Sequence, residues 1–249
     1  MCYLGPDSFY YVEDAKHQNN CVNCEKRKKS LLIGLSDEIL ESININRTVV
    51  KYKKGEYLFK PGNKIQGLFC LQKGRVKESK VLDNGKELIT AFRKPVDFIA
   101  ISDIIYHPHH LTYAFVMEDS EVCIIDIEDF KSVLLKDPHF VMSLMKHLAV
   151  LNLKSQNFLF HLTHCNMKGR LIYCLFYLSD QFCNSNEQMP YCIEINLRHL
   201  ASLSQLTLSN LIHLLKDLEN EKIISNQSKT IKIINPIRAK ALILSLIHI

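Results

Sequence analysis

EINLRHLASLSQLTLSNLIHLLKDLENEKII, Glu194 to Ile224, carries a hydrophobic period that settles how the rest of the chain is read. Leu197, Leu200 and Ala201 fall at i, i+3 and i+4. Leu208, Leu211, Leu214, Leu215 and Leu218 keep the same period, so two short helices each have one face to bury. Leu203 and Leu206 flank Ser204 and Gln205 between them, and Thr207 stands where an N-cap accepts the first free backbone N–H groups. Ile223-Ile224, the polar turn Asn226 to Lys229 and Thr230 to Ile234 then read as a two-stranded hairpin carrying lysine. Two helices, a tight turn and a hairpin make a winged helix-turn-helix. The capped end of its second helix, with Thr207, Ser209, Asn210 and then His213, is the end that enters a DNA major groove in such motifs. Paired amphipathic helices also occur as plain packing units, so charge matters. From Lys168 onward nine Lys and Arg, among them Arg198 and Lys229, face six Asp and Glu, a net +3 compatible with phosphate contact.

Upstream, turn signals cease after Asp137-Pro138 for about 28 residues. Val141, Leu144, Leu148, Leu151, Phe158 and Leu162 recur near a 3.5 spacing, broken at Ser155, with a second apolar line at Met145 and Leu159. A helix of about 40 Å is too long for one small domain to hide. We expect two copies to pair through Leu144, Leu148, Leu151, Phe158 and Leu162.

From Thr48 to Ile127 the pattern is short β-rich runs: VVKY, EYLF, GLFCLQ, RVKESKVL, KELITAF, LTYAFVM and EVCIIDI. Glycines 55, 62, 67, 74 and 85 punctuate them, and Asp83-Asn84-Gly85 predicts a type I′ hairpin turn. This spacing argues a small antiparallel β-roll or barrel. A short helix capped by Ser36 should cover Asp37 to Ile43. Residues 1–29 are polar, contain Cys21-Val22-Asn23-Cys24 and end in a basic run, Glu25 to Lys29.

The 249 residues suit two modest domains, and 47% hydrophobic with 23% charged is ordinary globular composition. No signal peptide or membrane-length apolar run is visible, which predicts a cytoplasmic protein with no membrane contact. In a reducing compartment nine cysteines mean buried thiols plus a metal or redox site rather than disulfides. Cys165, Cys174, Cys183 and Cys192, nine apart, match neither a helical face nor a metal knuckle. No nucleophile–base pair, P-loop or paired carboxylate points to an enzyme.

The order of roll, long helix and winged helix-turn-helix resembles the Crp–Fnr superfamily of bacterial transcription regulators. The matching runs are Lys54 to Gly62 (KGEYLFKPG), Gly67 to Lys77 (GLFCLQKGRVK) and Leu214 to Glu219 (LLKDLE). The resemblance implies an α+β chain: a cysteine-containing segment at 1–29, a cyclic-nucleotide-binding-like antiparallel β-roll at 30–136, a dimerisation helix at 137–166 and the winged helix-turn-helix at 167–249. It implies a homodimeric DNA-binding regulator that also addresses RNA polymerase. The competing class is a small-molecule, haem or metal sensor whose helix-turn-helix no longer binds DNA.

The chain departs from that family in three places. Cyclic-nucleotide-binding members hold ribose with Gly-Glu and phosphate with Arg-Ser. Here Lys94 to Asp103 (KPVDFIAISD) offers no Glu and Leu111 to Ala114 no Arg, so the effector is expected not to be cAMP. In the reading helix Ser209 stands where the family commonly has Glu, His213 where it has Arg, and Gln205 replaces the turn glycine. His213 as a donor to guanine, and Asn210 or Gln205 as a pair for adenine, leave a base-reading surface of altered chemistry. Fnr-type sensors hold an iron–sulfur cluster with three N-terminal cysteines and one in the roll. Cys21, Cys24 and Cys123 match three of these, Ser30 stands in place of the other, and Cys2 or His17 is left to substitute. A C-x2-C pair is equally a zinc or thiol signature, or two unliganded thiols. His107-Pro108-His109-His110 is a second candidate for zinc or haem, against the reading of solvated histidines in an exposed loop.

Overall fold

The computed structural model describes residues 21–182, 192–227 and 230–244. The chain divides into two compact units, Met1–Glu78 with Arg93–Lys146, and Ser79–Phe92 with His147–Ile249.

In the first unit two 3-10 turns, Glu25–Lys29 and Leu31–Gly34, lead into α1 (Asp37–Asn46). The Ser36 hydroxyl accepts from Ile39 N at 3.4 Å, the cap expected from sequence, and Asp37 and Glu38 complement the helix dipole in the first turn. The strands are β1 (Thr48–Tyr52), β2 (Tyr57–Phe59), β3 (Gly67–Val81, in this unit as far as Glu78), β4 (Glu87–Arg93, which but for Arg93 belongs to the second unit), β5 (Phe98–Ile99) and β6 (Tyr113–Asp126). Those of the first unit run in the order β1-β6-β3, with β2 antiparallel on β6 and β5 antiparallel on β3. The roll is closed by side chains: Tyr52, Leu58, Phe59, Phe69, Leu71, Val76, Ile99, Val116 and Val122 pack as one buried cluster. Two helices sit in this unit's loops, α2 (Ile101–Tyr106) and α3 (Ile127–Lys136), the latter capped by Asp126.

Runs read as separate strands turn out continuous. GLFCLQ and RVKESKVL are one strand, β3, and LTYAFVM with EVCIIDI is another, β6. Gly74 keeps its place in β3 with φ +94, and a Cβ there would lie 2.1 Å from Ser120 Oγ of β6. The glycine marks a close strand crossing, not a loop. The Asp83-Asn84-Gly85 hairpin is present, with Gly85 N on Leu82 O (2.8 Å) and Leu82 N on Lys86 O (3.0 Å). Only Gly85 has positive φ, so the turn is a type I turn closed by a left-handed glycine instead of type I′.

α4 (Pro138–His164) is one helix of 27 residues. The second unit continues with α5 (Met167–Phe182), β7 (Cys192–Glu194), α6 (Leu197–Ser204), α7 (Leu208–Asn220), β8 (Ile224–Gln227), β9 (Thr230–Ile233) and α8 (Pro236–Leu244). The wing has three strands, not two, because β7 adds to β9 in the order β7-β9-β8. Ile193, Ile195, Leu200, Leu203, Leu211, Leu215, Leu218, Ile223, Ile224, Ile231 and Ile233 form its core, the inward face the helical and strand periods predict. Within this unit Ser202 Oγ donates to Glu87 O at 2.7 Å.

Candidate functional site

Helix α7 starts as its sequence requires. Thr207 Oγ1 accepts from Asn210 N at 3.2 Å, with Thr207 in extended backbone. With Leu211, Leu215 and Leu218 buried, Thr207, Ser209, Asn210, Ile212, His213 and Lys216 are all exposed. Arg198, on α6, is exposed as well. Lys229 lies outside the described residues.

Two side chains here act differently from expectation. Gln205 holds the left-handed turn (φ 54, ψ 41), and its Nε2 donates to Ser202 O at 2.8 Å. One of its two N–H donors is thus used in closing α6, while Oε1 and the second N–H remain for a partner. His213 Nδ1 lies 3.1 Å from Asp217 Oδ2, one turn on. With Nδ1–H donated there, Nε2 of the neutral ring is an acceptor, suited to the amino group of cytosine or adenine; donation to guanine needs the imidazolium. Sequence reasoning misses Ile212. It is 51% exposed beside His213, and an exposed apolar side chain on this face suits a thymine methyl. Its signal is being apolar out of phase with the leucines.

Along α4 the expected dimer line is largely consumed by the chain itself. Leu144 is only 4% exposed, and Phe158 packs edge-on against Tyr177 and tilted on Tyr173, with ring centroids 5.1 and 5.7 Å away. Leu148, Leu151 and Leu162 are half-buried. The fully open line is the second one: Met142, Met145, Ala149, Asn152, Gln156 and Leu159, alternating three and four residues apart, with Val150, Leu153 and Phe160 exposed beside it. That is heptad spacing on an uncovered face.

The third constellation is a small recess, about 20 Å³, in the first unit. Cys21, Cys24, Cys70 and Cys123 line it together with Lys26, Arg27, Ser30, Leu32, Gln72 and Ile125. Arg47 Nη1 approaches Cys123 Sγ at 3.3 Å, and Cys21 N donates to Asn44 Oδ1 at 2.9 Å. A hydrogen bond from Cys21, opposed by burial and aided by Arg47, brings the Cys123 thiol down to about 7, while the same bond and burial push Cys21 up. Burial, then the neighbouring Cys123 and Cys24, push Cys70 up to about 12. Among the described residues no group of three or more His, Cys, Asp or Glu is placed to hold one metal ion, so a mononuclear zinc site does not fit. A cluster does not need convergence on a point, because each thiolate takes a separate iron. Four thiols with basic neighbours line the one recess, a donor set of the chemistry such a group takes. Cys2 and His17 lie outside the described residues.

Among the described residues the loop histidines form no group placed to hold a metal ion, nor are they all solvated. His110 is 2% exposed, stacked on Phe59 with centroids 3.5 Å apart, and its Nδ1 is 3.8 Å from Asp103 Oδ2. His107 Nδ1 accepts from the His109 backbone N–H at 3.2 Å. Nearby, in the run Lys94 to Asp103, the buried Glu78 carboxylate takes a two-pronged bond from Arg93 (3.1 and 2.9 Å) and a third from Ala100 N (2.8 Å). The chain fills its own anion-binding backbone there, which argues against a nucleotide phosphate at Ala100.

A cyclic nucleotide-binding domain is matched over residues 49–137. The fumarate and nitrate reduction regulatory protein of Escherichia coli K12 is 26% identical over 164 residues, 66% of this chain, and the chain spans 65% of that relative's length. The Vibrio cholerae protein of the same name is 24% identical over 218 residues, 87% of each. Among solved structures, FixK2 of Bradyrhizobium japonicum superposes with a TM-score of 0.70 at 18% identity, covering 79% of this chain and 96% of that one. A transcriptional regulator of the CRP/FNR family from Thermus thermophilus gives 0.66 at 18% identity, covering 80% and 99%.

Proposed function

We propose that this chain, a member of the Crp–Fnr superfamily, is a homodimeric, sequence-specific DNA-binding transcription regulator whose first unit senses a redox signal or effector other than cAMP. The observation that carries the reading is α7: a capped helix whose leucine face is buried in a winged unit while its N-terminal polar face is open. Cytoplasmic location and RNA polymerase as the second partner follow from that role. Among the described residues no helix is long and apolar enough to cross a membrane. The dimer is assigned to the open α4 line of Met142, Met145, Ala149, Asn152 and Leu159, with Asn152 as the polar position that fixes register. An iron–sulfur cluster in the cysteine recess is the redox-sensing group, with Cys21, Cys24 and Cys123 among its ligands; such a cluster supplies one-electron chemistry and sensitivity to oxidants.

The test is selection of bound duplexes from random genomic fragments, followed by gel shifts of variants over a salt series. His213→Ala and Ile212→Ala should each cost roughly 1–3 kcal/mol on the selected duplex and relax preference at one base pair. Lys216→Ala should weaken selected and scrambled duplexes alike and lower the salt slope by about one. Equal losses on both duplexes for His213→Ala and Ile212→Ala would remove α7 as the reading helix.

A further inference from the structure

We infer that Leu208 and Ile212 of α7 form an apolar pair that reads the C5-methyl groups of pyrimidines, two methyls about two base steps apart in each half-site. The inference rests on α7 as the DNA-reading helix, proposed above, and adds to it the chemistry of the bases it prefers.

The two residues differ from the leucines that hold α7 in place. Leu211, Leu215 and Leu218 are at most 1% exposed, whereas Leu208 is 41% and Ile212 51% exposed. At 3.6 residues per turn Leu208 lies about 60° and Ile212 about 100° round the helix from Leu211 in the same direction, so the two share one flank. Lys216, Ser209 and His213 continue in that direction, at about 140°, 160° and 200°. The apolar pair is therefore one border of the polar, open face. Leu208 sits in the first turn, which Thr207 pins twice: its Oγ1 accepts from Asn210 N at 3.2 Å and its O from Leu211 N at 2.9 Å. That is the end of the helix which enters a major groove.

The polar side chains around the pair have partners within the chain. Gln205 Nε2 donates to Ser202 O at 2.8 Å, Asn210 Nδ2 to Met167 Sδ at 3.7 Å, and His213 Nδ1 lies 3.1 Å from Asp217 Oδ2. Leu208 and Ile212 offer hydrocarbon alone, and the apolar group that a base pair presents in the major groove is the C5-methyl of thymine. A 5-methylcytosine carries the same methyl at the same ring position. Charge selects this occupant over an apolar protein surface. Lys216 of α7, Arg198 of α6, Lys222 and Lys232 of β9 are exposed cations of the same unit, and a polyanion is the partner they suit. Four residues advance the helix by about 6 Å, against about 3.4 Å per base step, which sets the spacing of the two methyls.

The experiment is a binding titration of the full chain on the selected duplex, each thymine being replaced in turn by deoxyuridine, which lacks only the methyl. Two positions in each half-site should lose about fourfold apiece, the worth of one buried methyl. Leu208→Ala and Ile212→Ala should each weaken the thymine duplex by about fivefold or more, melt as the parent does and become indifferent to deoxyuridine at one of the two positions. Cytosine against 5-methylcytosine at those positions separates the sources of the methyl. A gain of about fourfold makes any C5-methyl the ligand, and no gain confines it to thymine. Equal affinity for thymine and deoxyuridine at every position would overturn the inference while leaving α7 as the reading helix. So would a deoxyuridine penalty that both variants retain. Variants that bind DNA as the parent does but sediment differently would make the pair a protein contact instead. A parent that prefers no selected duplex over scrambled DNA would remove α7 as the reading helix, and this inference with it.

Discussion

Asp103, which closes the run KPVDFIAISD, carries structure through its carboxylate. Burial works to raise its carboxyl, but His110, the Leu111 N–H and the Thr112 hydroxyl outweigh it, and the group is held below its ordinary 3.8. A carboxylate lowered on folding adds stability that is full above pH 3.8 and is lost as pH falls through the lowered value. Asp103→Asn should therefore cost about 1–3 kcal/mol at pH 7 and flatten the acid limb of the stability curve, as measured by urea unfolding at pH 7 and pH 3. An equal loss at both pH values would assign Asp103 to packing alone. His110 is legible in the sequence only as a member of a histidine-rich loop. Its burial depends on Phe59, some fifty residues away, and no local pattern announces that stack. Gln205 is the reverse case. Its place at the turn is evident from sequence, but its side chain reads as pointing outward because the left-handed backbone that folds it onto Ser202 is not a property of glutamine.

At the scale of elements, caps and periods are legible because they are local. Ser36 and Thr207 cap where expected, and the long helix starts at Pro138 after the Asp137-Pro138 signal. The strand count is not legible, because Gly74 reads as a turn residue and is in fact the contact point of β3 with β6. Gly74→Ala should destabilise the first unit by about 3 kcal/mol, since the new Cβ meets Ser120 Oγ at 2.1 Å on a backbone of φ +94. Adding Ser120→Gly should restore only part of this, because Ser120 Cα itself lies 2.7 Å away and the dihedral strain stays. Thermal melts of the three proteins check it, and full recovery in the double variant would reduce the glycine's role to side-chain clearance. The outward phase of Cys70 is legible in principle by the same alternation that defines β3, because the core phase of that run belongs to Phe69 and Leu71. It escapes notice because a cysteine between apolar residues reads as core.

For the molecule as a whole, the pairing proposed for α4 is what would bring two α7 helices to one DNA. The helix is apolar on more than one side, so period alone offers two lines, and leucine content favours the one other than the open line proposed above. Leu144 and Phe158 are covered by the chain's own packing, and the line that remains open includes Asn152 and Gln156, which a hydrophobicity count discounts. A polar seam of this kind is weaker than an all-leucine one, so the dimer should be dissociable and sensitive to a single charge. Met145, 58% exposed, is the place to put that charge without harming the monomer. Met145→Lys should keep its circular dichroism and melting temperature and sediment as a monomer. Leu144→Lys buries an unpaired ammonium and should unfold the first unit. On a duplex with two half-sites Met145→Lys should bind no more tightly than to a single half-site, whereas the parent should gain steeply from the second site because its two reading helices engage together. Sedimentation and gel shifts on one-site and two-site duplexes supply both readouts. A Met145→Lys protein that remains dimeric would move the interface off this face of α4, and a parent that gains nothing from the second half-site would leave pairing without a role in DNA recognition.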